Sequence, residues 1–141
     1  MIYTNSDGGA RGNPGPGAIG VLVREDEKIL IQDSKLVGEH VTNNMAEYEG
    51  LIRALELASK ITDKEVTCIL DSELIVKQLL GEYAIRNTRL LPLFLKVQKL
   101  QENFDNIIYK HASREDKYQV MVDKLLNKEL DKHRRRRYCR G

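Results

Sequence analysis

The sequence predicts an α/β fold in which a mixed five-stranded sheet begins with an antiparallel meander and carries packed helices. Two observations lead to this fold class. Short apolar, β-branched runs separated by turn residues dominate the first forty positions, and an apolar period typical of helices begins at Asn44. Beyond that point, amphipathic helical segments alternate with short apolar strands, which is the pattern of a sheet covered by helices.

The N-terminal part of the chain predicts three extended segments. Residues 2–6 form a short apolar run that leads into Asp7, and residues 18–24 and 28–34 flank a charged turn at residues 25–27, as in a hairpin. Residues 36–41 predict a weaker extended piece. The glycines and prolines of residues 8–17 predict a loop or tight turn.

The rest of the chain predicts four helices and two strands. Helical spacing of apolar residues covers 44–59, 72–80 with Gly81 closing it, 88–103 with Thr88 as N-cap and Pro92 in the first turn, and 118–130. Short apolar runs at 65–70 and 107–110 predict strands.

Composition is typical of one soluble globular domain. The chain has 141 residues, of which 41% are hydrophobic and 31% charged, and this balance argues against disorder. It shows no signal-peptide pattern and no apolar stretch near the roughly 20 residues that cross a bilayer. Its two cysteines, Cys68 and Cys139, form neither a disulfide framework nor a zinc ligand set. We therefore expect a cytoplasmic monomer without membrane association.

Charge is distributed unevenly along the chain. The net charge is +2, but residues 132–141 carry one Lys and five Arg, so residues 1–131 carry a net charge of −4. This asymmetry favours a partner that bears phosphates. A solvated, disordered terminus is the alternative interpretation. The expected organisation is a catalytic domain over 1–131 and a flexible basic tail over 132–141.

Four acidic residues occupy positions where a site can form. Asp7 and Asp71 each follow a predicted strand, whereas Glu47 and Asp123 lie on predicted helices. If the two strands are neighbours, the carboxylates meet at one edge of the sheet. Carboxylates without His or Cys suit Mg²⁺, with Mn²⁺ as a substitute, and two such ions can hold a phosphodiester for attack by water.

Each acid also has a structural explanation. Asp7 before two glycines is typical of a turn, and Asp71 before Ser72 can start a helix. Glu47 lies three residues after Asn44, as in a helix capping box. Asp123 can be a solvated acid on the polar side of its helix.

The residues around these acids resemble the type 1 ribonuclease H family. Three segments carry the resemblance: DGGARGNPGPGA over 7–18, TNNMAEY over 42–48, and LDS over 70–72 followed by LIV and GEY. Residues 111–131 resemble the last family segment more loosely. The resemblance implies a ribonuclease-H-like fold with helices on both faces of the sheet.

The resemblance also implies a function. A family member is an endoribonuclease that hydrolyses the RNA strand of RNA–DNA hybrids with two metal ions, leaving 5′-phosphate and 3′-hydroxyl ends. Asp7 would bridge both ions, Glu47 and Asp71 would complete the site near the leaving group, and Asp123 would hold the ion that carries the attacking water. The alternative is a hybrid-binding module of the same fold with little or no catalysis.

Contacts to the hybrid are implied for a further set of residues. Gly8 and Gly9 would bring backbone N–H groups close to the nucleic acid. The amides of Asn13, Asn43 and Asn44 would contact 2′-hydroxyls in the minor groove. Helix capping is the alternative role for Asn43 and Asn44. The resemblance adds Ser72 to the nucleic-acid-binding set.

The chain departs from the family pattern in its last third. The spacing from Arg114 to Asp123 is longer than in the family, which makes Asp123 the least secure ligand, and His111 directly follows a strand. Residues 80–104 lack a Trp and a dense basic cluster, as in members without the basic protrusion. The arginine-rich tail is then expected to supply phosphate contacts.

Overall fold

The computed structural model describes residues 1–113 and 115–140, with residues 138–140 described by their backbone alone. The element order is the predicted one, a meander followed by α, β, α, α, β and α. The elements are β1 (Ile2–Ala10), β2 (Gly15–Glu25), β3 (Lys28–Val41), α1 (Asn43–Ala58), β4 (Glu65–Leu70), α2 (Glu73–Leu79), α3 (Leu91–Gln101), β5 (Asn106–His111) and α4 (Lys117–Arg140).

The five strands form one mixed sheet in the order β3-β2-β1-β4-β5. Strand β2 pairs antiparallel with both β1 and β3, whereas β1, β4 and β5 run parallel to one another. This arrangement confirms the predicted fold class. It also makes β1 the central strand, with β4, the first strand after helix α1, as its parallel neighbour.

Helices cover both faces of the sheet. Successive residues of β2 point to opposite faces, so Ile19, Val21 and Val23 join the core beneath α1, while Ala18 packs with Leu126 and Leu130 of α4. Because both faces are covered, β2 reads as a nearly continuous apolar run rather than an alternating one.

The strands are longer than predicted. Residues 36–41 belong to the single strand β3, and His111 belongs to β5. The segment 8–17 is not one loop, because Gly8, Gly9 and Ala10 pair with Ile19, Ala18 and Gly17 in the antiparallel ladder. Glycine weakens a strand but permits another backbone to approach closely, as that of helix α1 does at Gly8.

The start of one helix also differs from expectation. Helix α3 starts at Leu91 rather than after Thr88, with no side-chain cap, although Pro92 lies in its first turn as predicted. Helix α2 presents Ile75 and Val76 to the core, whereas Leu74 is exposed.

Helix α4 does not end at residue 130. It continues through the basic segment to Arg140, and it is held against β3 by a contact between His133 and Glu39. The functional division at residue 131 and the flexibility of the tail stay predictions. None of the helices in the described part of the chain combines the length and apolarity needed to cross a bilayer.

Candidate metal centre and nucleic-acid interface

Strand pairing places Asp7 and Asp71 side by side. Strands β1 and β4 are parallel neighbours, and their register pairs Ser6 with Leu70, so the next residue of each chain segment carries a carboxylate at the same end of the sheet. One carboxylate oxygen from each of Asp7, Glu47 and Asp71 lies within 4.8 Å of the other two. The sequence reasoning required this meeting of residues far apart in the chain.

Glu47 reaches the group because α1 lies unusually close to β1. A Cβ atom at Gly8 would be 2.1 Å from the carbonyl oxygen of Ala46, the residue before Glu47. A Cβ atom at Gly50, one turn along, would be 3.1 Å from the carbonyl oxygen of Asp7. Gly8 therefore has a packing role in addition to the substrate contact expected from the sequence.

Helix capping does not account for the acids. Thr42 is the N-cap of α1, where its Oγ1 accepts a hydrogen bond from the Met45 N–H at 3.1 Å. Ser72 is the N-cap of α2, where its Oγ accepts from the Ile75 N–H at 3.2 Å. The side chains of Glu47 and Asp71 therefore do not cap these helices, and neither do those of Asn43 and Asn44.

Burial makes negative charge costly at this site. Burial raises the pKa of Asp7 from 3.8 to about 6, despite a hydrogen bond with Glu47, and the charges of Asp71 and Asp123 add to the rise. The pKa of Glu47 is raised by burial first, and then by its hydrogen bond with Asp7 and by the charge there. Acids in such surroundings are stabilised by a nearby cation.

The donor atoms fit a hard divalent cation. Oδ1 of Asp7 accepts a hydrogen bond from the Gly8 N–H at 2.9 Å, but the buried Oε2 of Glu47 has no hydrogen-bond partner among the described residues. A buried carboxylate oxygen without a partner is rare in proteins unless it binds an ion or water. Three carboxylates with no nitrogen or sulfur ligand are typical of Mg²⁺ or Mn²⁺ sites.

Asp123 lies on the facing wall of the same cleft. It lines the space next to Asp7 and Asp71, and its charge contributes to the raised pKa of Asp7. Its carboxylate is nevertheless not part of the group whose oxygens lie within 4.8 Å of one another. The structure therefore brings three of the four predicted acids into direct proximity and places the fourth beside them.

A buried polar network holds the start of α4 near the site. Nε2 of Gln119 donates to the carbonyl oxygen of Ser6 at 2.8 Å, and Asn5 donates to Gln119. Nε of Arg24 donates in turn to Asn5 at 2.9 Å, and its guanidinium stacks on Tyr118. Since Asp123 lies one turn beyond Gln119, this network positions its carboxylate.

His111 contacts the loop that carries Asp71. Its Nε2 lies 3.0 Å from the Asp71 carbonyl oxygen, at the end of β5, and its ring is exposed. Arg114, the other residue at which the chain departs from the family pattern, lies outside the described residues.

The glycines and asparagines predicted to bind nucleic acid border the acids. A cleft of about 450 Å³ contains the carboxylates, and Gly8, Gly9, Asn43, Asn44 and Ser72 line it. Asn13 lies in an adjoining groove that it shares with Asn43 and Asn44. All six predicted contact residues are therefore found at or next to the acidic cleft.

Hydrogen bonds orient two of these amides. Oδ1 of Asn43 accepts from the Ala10 N–H at 2.9 Å, and Oδ1 of Asn13 accepts from the Asn43 N–H at 3.1 Å. Because both oxygens accept from backbone donors, the side chains are oriented so that Asn13 and Asn43 can offer their amide NH₂ groups as donors to a ligand.

Sequence reasoning missed several residues at this site. Asn87 lies in the groove with Asn13, and Arg11 and Asn127 line the acidic cleft. Nothing local distinguishes these side chains from other surface polar residues. Gly20 of β2 lies against the Val122 carbonyl oxygen of α4. The sequence did carry a signal for this contact, since an isolated glycine in an apolar strand indicates that another backbone approaches closely.

Comparisons with known proteins identify relatives of this chain over most of its length. Residues 5–128 match the family model described as "Reverse transcriptase-like". The crystal structure of LC11-RNase H1 in complex with an RNA/DNA hybrid is 37% identical, with a TM-score of 0.87, and the match covers 94% of this chain and 99% of that one. The RNase H1 structure from Halobacterium salinarum is 31% identical over 93% of this chain and 98% of that one, with a TM-score of 0.85.

Curated relatives are longer than this chain. Ribonuclease HI of Halobacterium salinarum is 35% identical over 92% of this chain, which spans 64% of that protein. A bifunctional protein of Mycobacterium tuberculosis is also 35% identical over 92% of this chain, which spans 35% of its length. With a family match over most of its residues and nearly full-length agreement with RNase H1 structures in sequence and fold, the chain belongs to the ribonuclease H1 family.

Proposed function

We propose that this protein is an endoribonuclease that hydrolyses the RNA strand of RNA–DNA hybrids with the aid of Mg²⁺, leaving 5′-phosphate and 3′-hydroxyl ends. The observation that carries the proposal is the meeting of Asp7, Glu47 and Asp71 at the end of β1 and β4. Mn²⁺ would substitute for Mg²⁺, and two ions would be held when substrate is bound. In this proposal the protein is a monomer and acts in the cytoplasm.

Each acid has a distinct part in the proposed site. Asp7, Glu47 and Asp71 would hold the cations, and Asp123 would contribute from the facing wall, on the side of the attacking water. Bound divalent cations lower the pKa of water and neutralise the charge of a phosphodiester, which is the chemistry that hydrolysis needs. The buried, unpartnered oxygen of Glu47 supports this ligand set.

Recognition of the RNA strand would come from the asparagines. Backbone hydrogen bonds orient Asn13 and Asn43 so that their amide NH₂ groups can act as donors, and a 2′-hydroxyl oxygen can accept from them. Because DNA lacks this hydroxyl, the same contacts would select the RNA strand. The open cleft above the carboxylates leaves room for a strand to pass between α1 and α4.

A cleavage assay with three labelled duplexes tests the proposal. The protein is incubated with an RNA–DNA hybrid, an RNA duplex and a DNA duplex, in Mg²⁺ and in EDTA. We expect cleavage of the hybrid alone, only with Mg²⁺, and confined to the RNA strand. Hybrid binding without cleavage would instead favour the non-catalytic binding module.

Asp71→Asn is the informative variant, and Asp105→Asn is its control. Asp105 precedes β5 and lies at the opposite end of the parallel strands from Asp71, where it pairs with Lys64. Both changes remove one exposed carboxylate. We expect Asp71→Asn to abolish cleavage and Asp105→Asn to leave it at the wild-type rate. An active Asp71→Asn protein would remove that residue from the site.

A binding readout separates metal binding from catalysis. Mg²⁺ that binds only the folded state raises the melting temperature, and the rise grows with the logarithm of the Mg²⁺ concentration above the dissociation constant. We expect added Mg²⁺ to raise the melting temperature of the wild type and of Asp105→Asn, but much less that of Asp71→Asn. Equal shifts in all three proteins would contradict the proposed ligand set.

A further inference from the structure

A second groove adjoins the acidic cleft and is lined by basic side chains. It encloses about 400 Å³ between the turn that follows β1 and the last turns of α4. We call it the basic groove, and its lining residues are Arg11, Pro16, Leu130, His133, Arg134 and Arg137. Arg11 and Leu130 line the acidic cleft as well, so the two spaces lie next to each other and share part of their walls.

One face of α4 supplies the basic groove. Leu130, His133, Arg134 and Arg137 follow the spacing of residues that share one side of a helix. Arg135 and Arg136 are also exposed but do not line the groove. The continuous run of four arginines in the sequence is therefore divided by the fold into two pairs of equal charge.

The groove wall is fixed to the body of the protein. Arg11 forms an ion pair with Asp131 at 2.7 Å, and His133 lies 3.1 Å from Glu39 of β3. One turn earlier, the Ser34 hydroxyl donates to Glu129 at 3.1 Å. These contacts pack residues 129–133 of α4 against β3 and the turn after β1, which places the arginines of the next turn beside the cleft.

We propose that the basic groove binds the sugar–phosphate backbone of the nucleic acid that occupies the acidic cleft, with Arg134 and Arg137 contacting phosphates beyond the site of cleavage. The assignment of a hybrid as that nucleic acid rests on the proposed function. Arginine suits such contacts because its planar guanidinium can form paired hydrogen bonds with phosphate oxygens.

Charge and distance support this occupant. The first 131 residues carry a net charge of −4, so a polyanion would be repelled from most of the surface and attracted to the basic helix end. At about 1.5 Å per helical residue, Arg134 and Arg137 lie roughly 16 and 21 Å along α4 from Asp123. That length corresponds to roughly five to six base steps of a duplex.

Helix stabilisation is the competing explanation for the arginines. Cations near the C-terminus of a helix interact favourably with its dipole whichever side they face. The division into two pairs separates the explanations, because both pairs lie in the same turns of α4 and carry the same charge. Only the pair in the basic groove can make the proposed contacts.

The test compares Arg134→Gln/Arg137→Gln with Arg135→Gln/Arg136→Gln, each in an Asp71→Asn background that keeps the hybrid intact. Affinity for a fluorescent hybrid of about 20 base pairs is measured by anisotropy over a range of salt concentrations. We expect the first pair to weaken binding roughly tenfold and to reduce the slope of log affinity against log salt by about 2. The second pair should leave that slope near its starting value.

A shorter hybrid and a stability measurement complete the experiment. With a hairpin-capped hybrid of about four base pairs, shorter than the roughly five base steps between the cleft and Arg134, the difference between the pairs should disappear. Unfolding in urea measures any loss of stability in either variant, and the affinities are compared at a temperature at which both variants are fully folded. Equal loss of affinity from both pairs, or loss from neither, would overturn the proposal. Failure of the wild type to cut hybrids would reject the proposed function but would leave this binding result standing.

Discussion

Gly20 of β2 lies directly against the carbonyl oxygen of Val122, the residue that precedes Asp123 in α4. A Cβ atom at Gly20 would be 2.2 Å from that oxygen and 3.0 Å from the Cβ of Leu125. In the antiparallel ladder Gly20 pairs with Asp7. Gly20 thus lets α4 approach the sheet beside Asp7. This close approach places Asp123 on the wall of the cleft.

Gly20→Ala should therefore disturb the site from the side of α4. Backbone cannot give way as a flexible side chain does, so the added methyl would push α4 outward, and we expect a loss of about 1–3 kcal/mol in the free energy of unfolding. The rate of hybrid cleavage should fall by more than the decrease in the fraction of folded protein at the assay temperature. Gly9→Ala is the stability control, because its Cβ would lie 3.5 Å from the Leu126 side chain, an ordinary contact. Unchanged stability of Gly20→Ala would contradict the close approach.

Asp7→Asn should stabilise the metal-free protein at neutral and alkaline pH. The pKa of Asp7 is raised from 3.8 to about 6, so between these values the folded state binds more protons than the unfolded state. Stability from this group is present below about pH 4 and is lost as the pH rises through about 6. In EDTA at pH 8 we expect the variant to be more stable, by on the order of 2–3 kcal/mol, with the gain shrinking towards pH 4.

Urea unfolding across this pH range measures the effect, and Mg²⁺ provides its control. A cation at the site compensates the charge of Asp7, so saturating Mg²⁺ should remove or reverse the advantage of Asp7→Asn. A variant that is less stable than the wild type at pH 8 in EDTA would show that burial does not disfavour the Asp7 carboxylate.

Asp123→Asn should slow hydrolysis while leaving most of the Mg²⁺ binding by Asp7, Glu47 and Asp71 intact. Asp123 lies beside the cleft but outside the group of three oxygens that are mutually within 4.8 Å. We expect the variant to keep most of the Mg²⁺-induced rise in melting temperature while its cleavage rate falls roughly 10- to 100-fold. Calorimetric melting and hybrid cleavage, measured on the same preparation, check the two halves. If the rise is lost as it is in Asp71→Asn, Asp123 belongs to the same ligand group.

Arg24→Ala should destabilise the protein although Arg24 does not line the acidic cleft. The buried guanidinium stacks on Tyr3 and Tyr118 at 4.5 and 4.0 Å from the ring centres, and its loss leaves Oδ1 of Asn5 without its donor. We expect a loss of about 2–4 kcal/mol in the free energy of unfolding. Arg53→Ala, which removes a half-exposed pair with Asp33, should cost about 1 kcal/mol or less in a parallel urea titration. Similar losses in the two variants would show that the buried network around Arg24 contributes no more stability than a partly exposed ion pair.

Local pattern accounts for what could be predicted without the fold. The order of elements follows from the change of apolar period at Asn44 and from turn residues between short runs, because both signals depend on neighbours in the chain. The acids of the cleft could be named from the motifs around them. Errors fell at boundaries, as at residues 8–17, where pairing with β2 keeps glycines in a strand that local propensity would end.

The sequence by itself determined which elements form, which family the chain resembles and which acids are candidates. Only the tertiary structure decided that Asp7, Glu47 and Asp71 meet, that Gly8 and Gly20 admit α1 and α4, and that Arg134 and Arg137 line a groove while Arg135 and Arg136 do not. The physical reason is that propensity and periodicity act between residues a few positions apart. A carboxylate cluster or a groove depends on which distant backbones can approach closely, and that is settled by packing across the sheet.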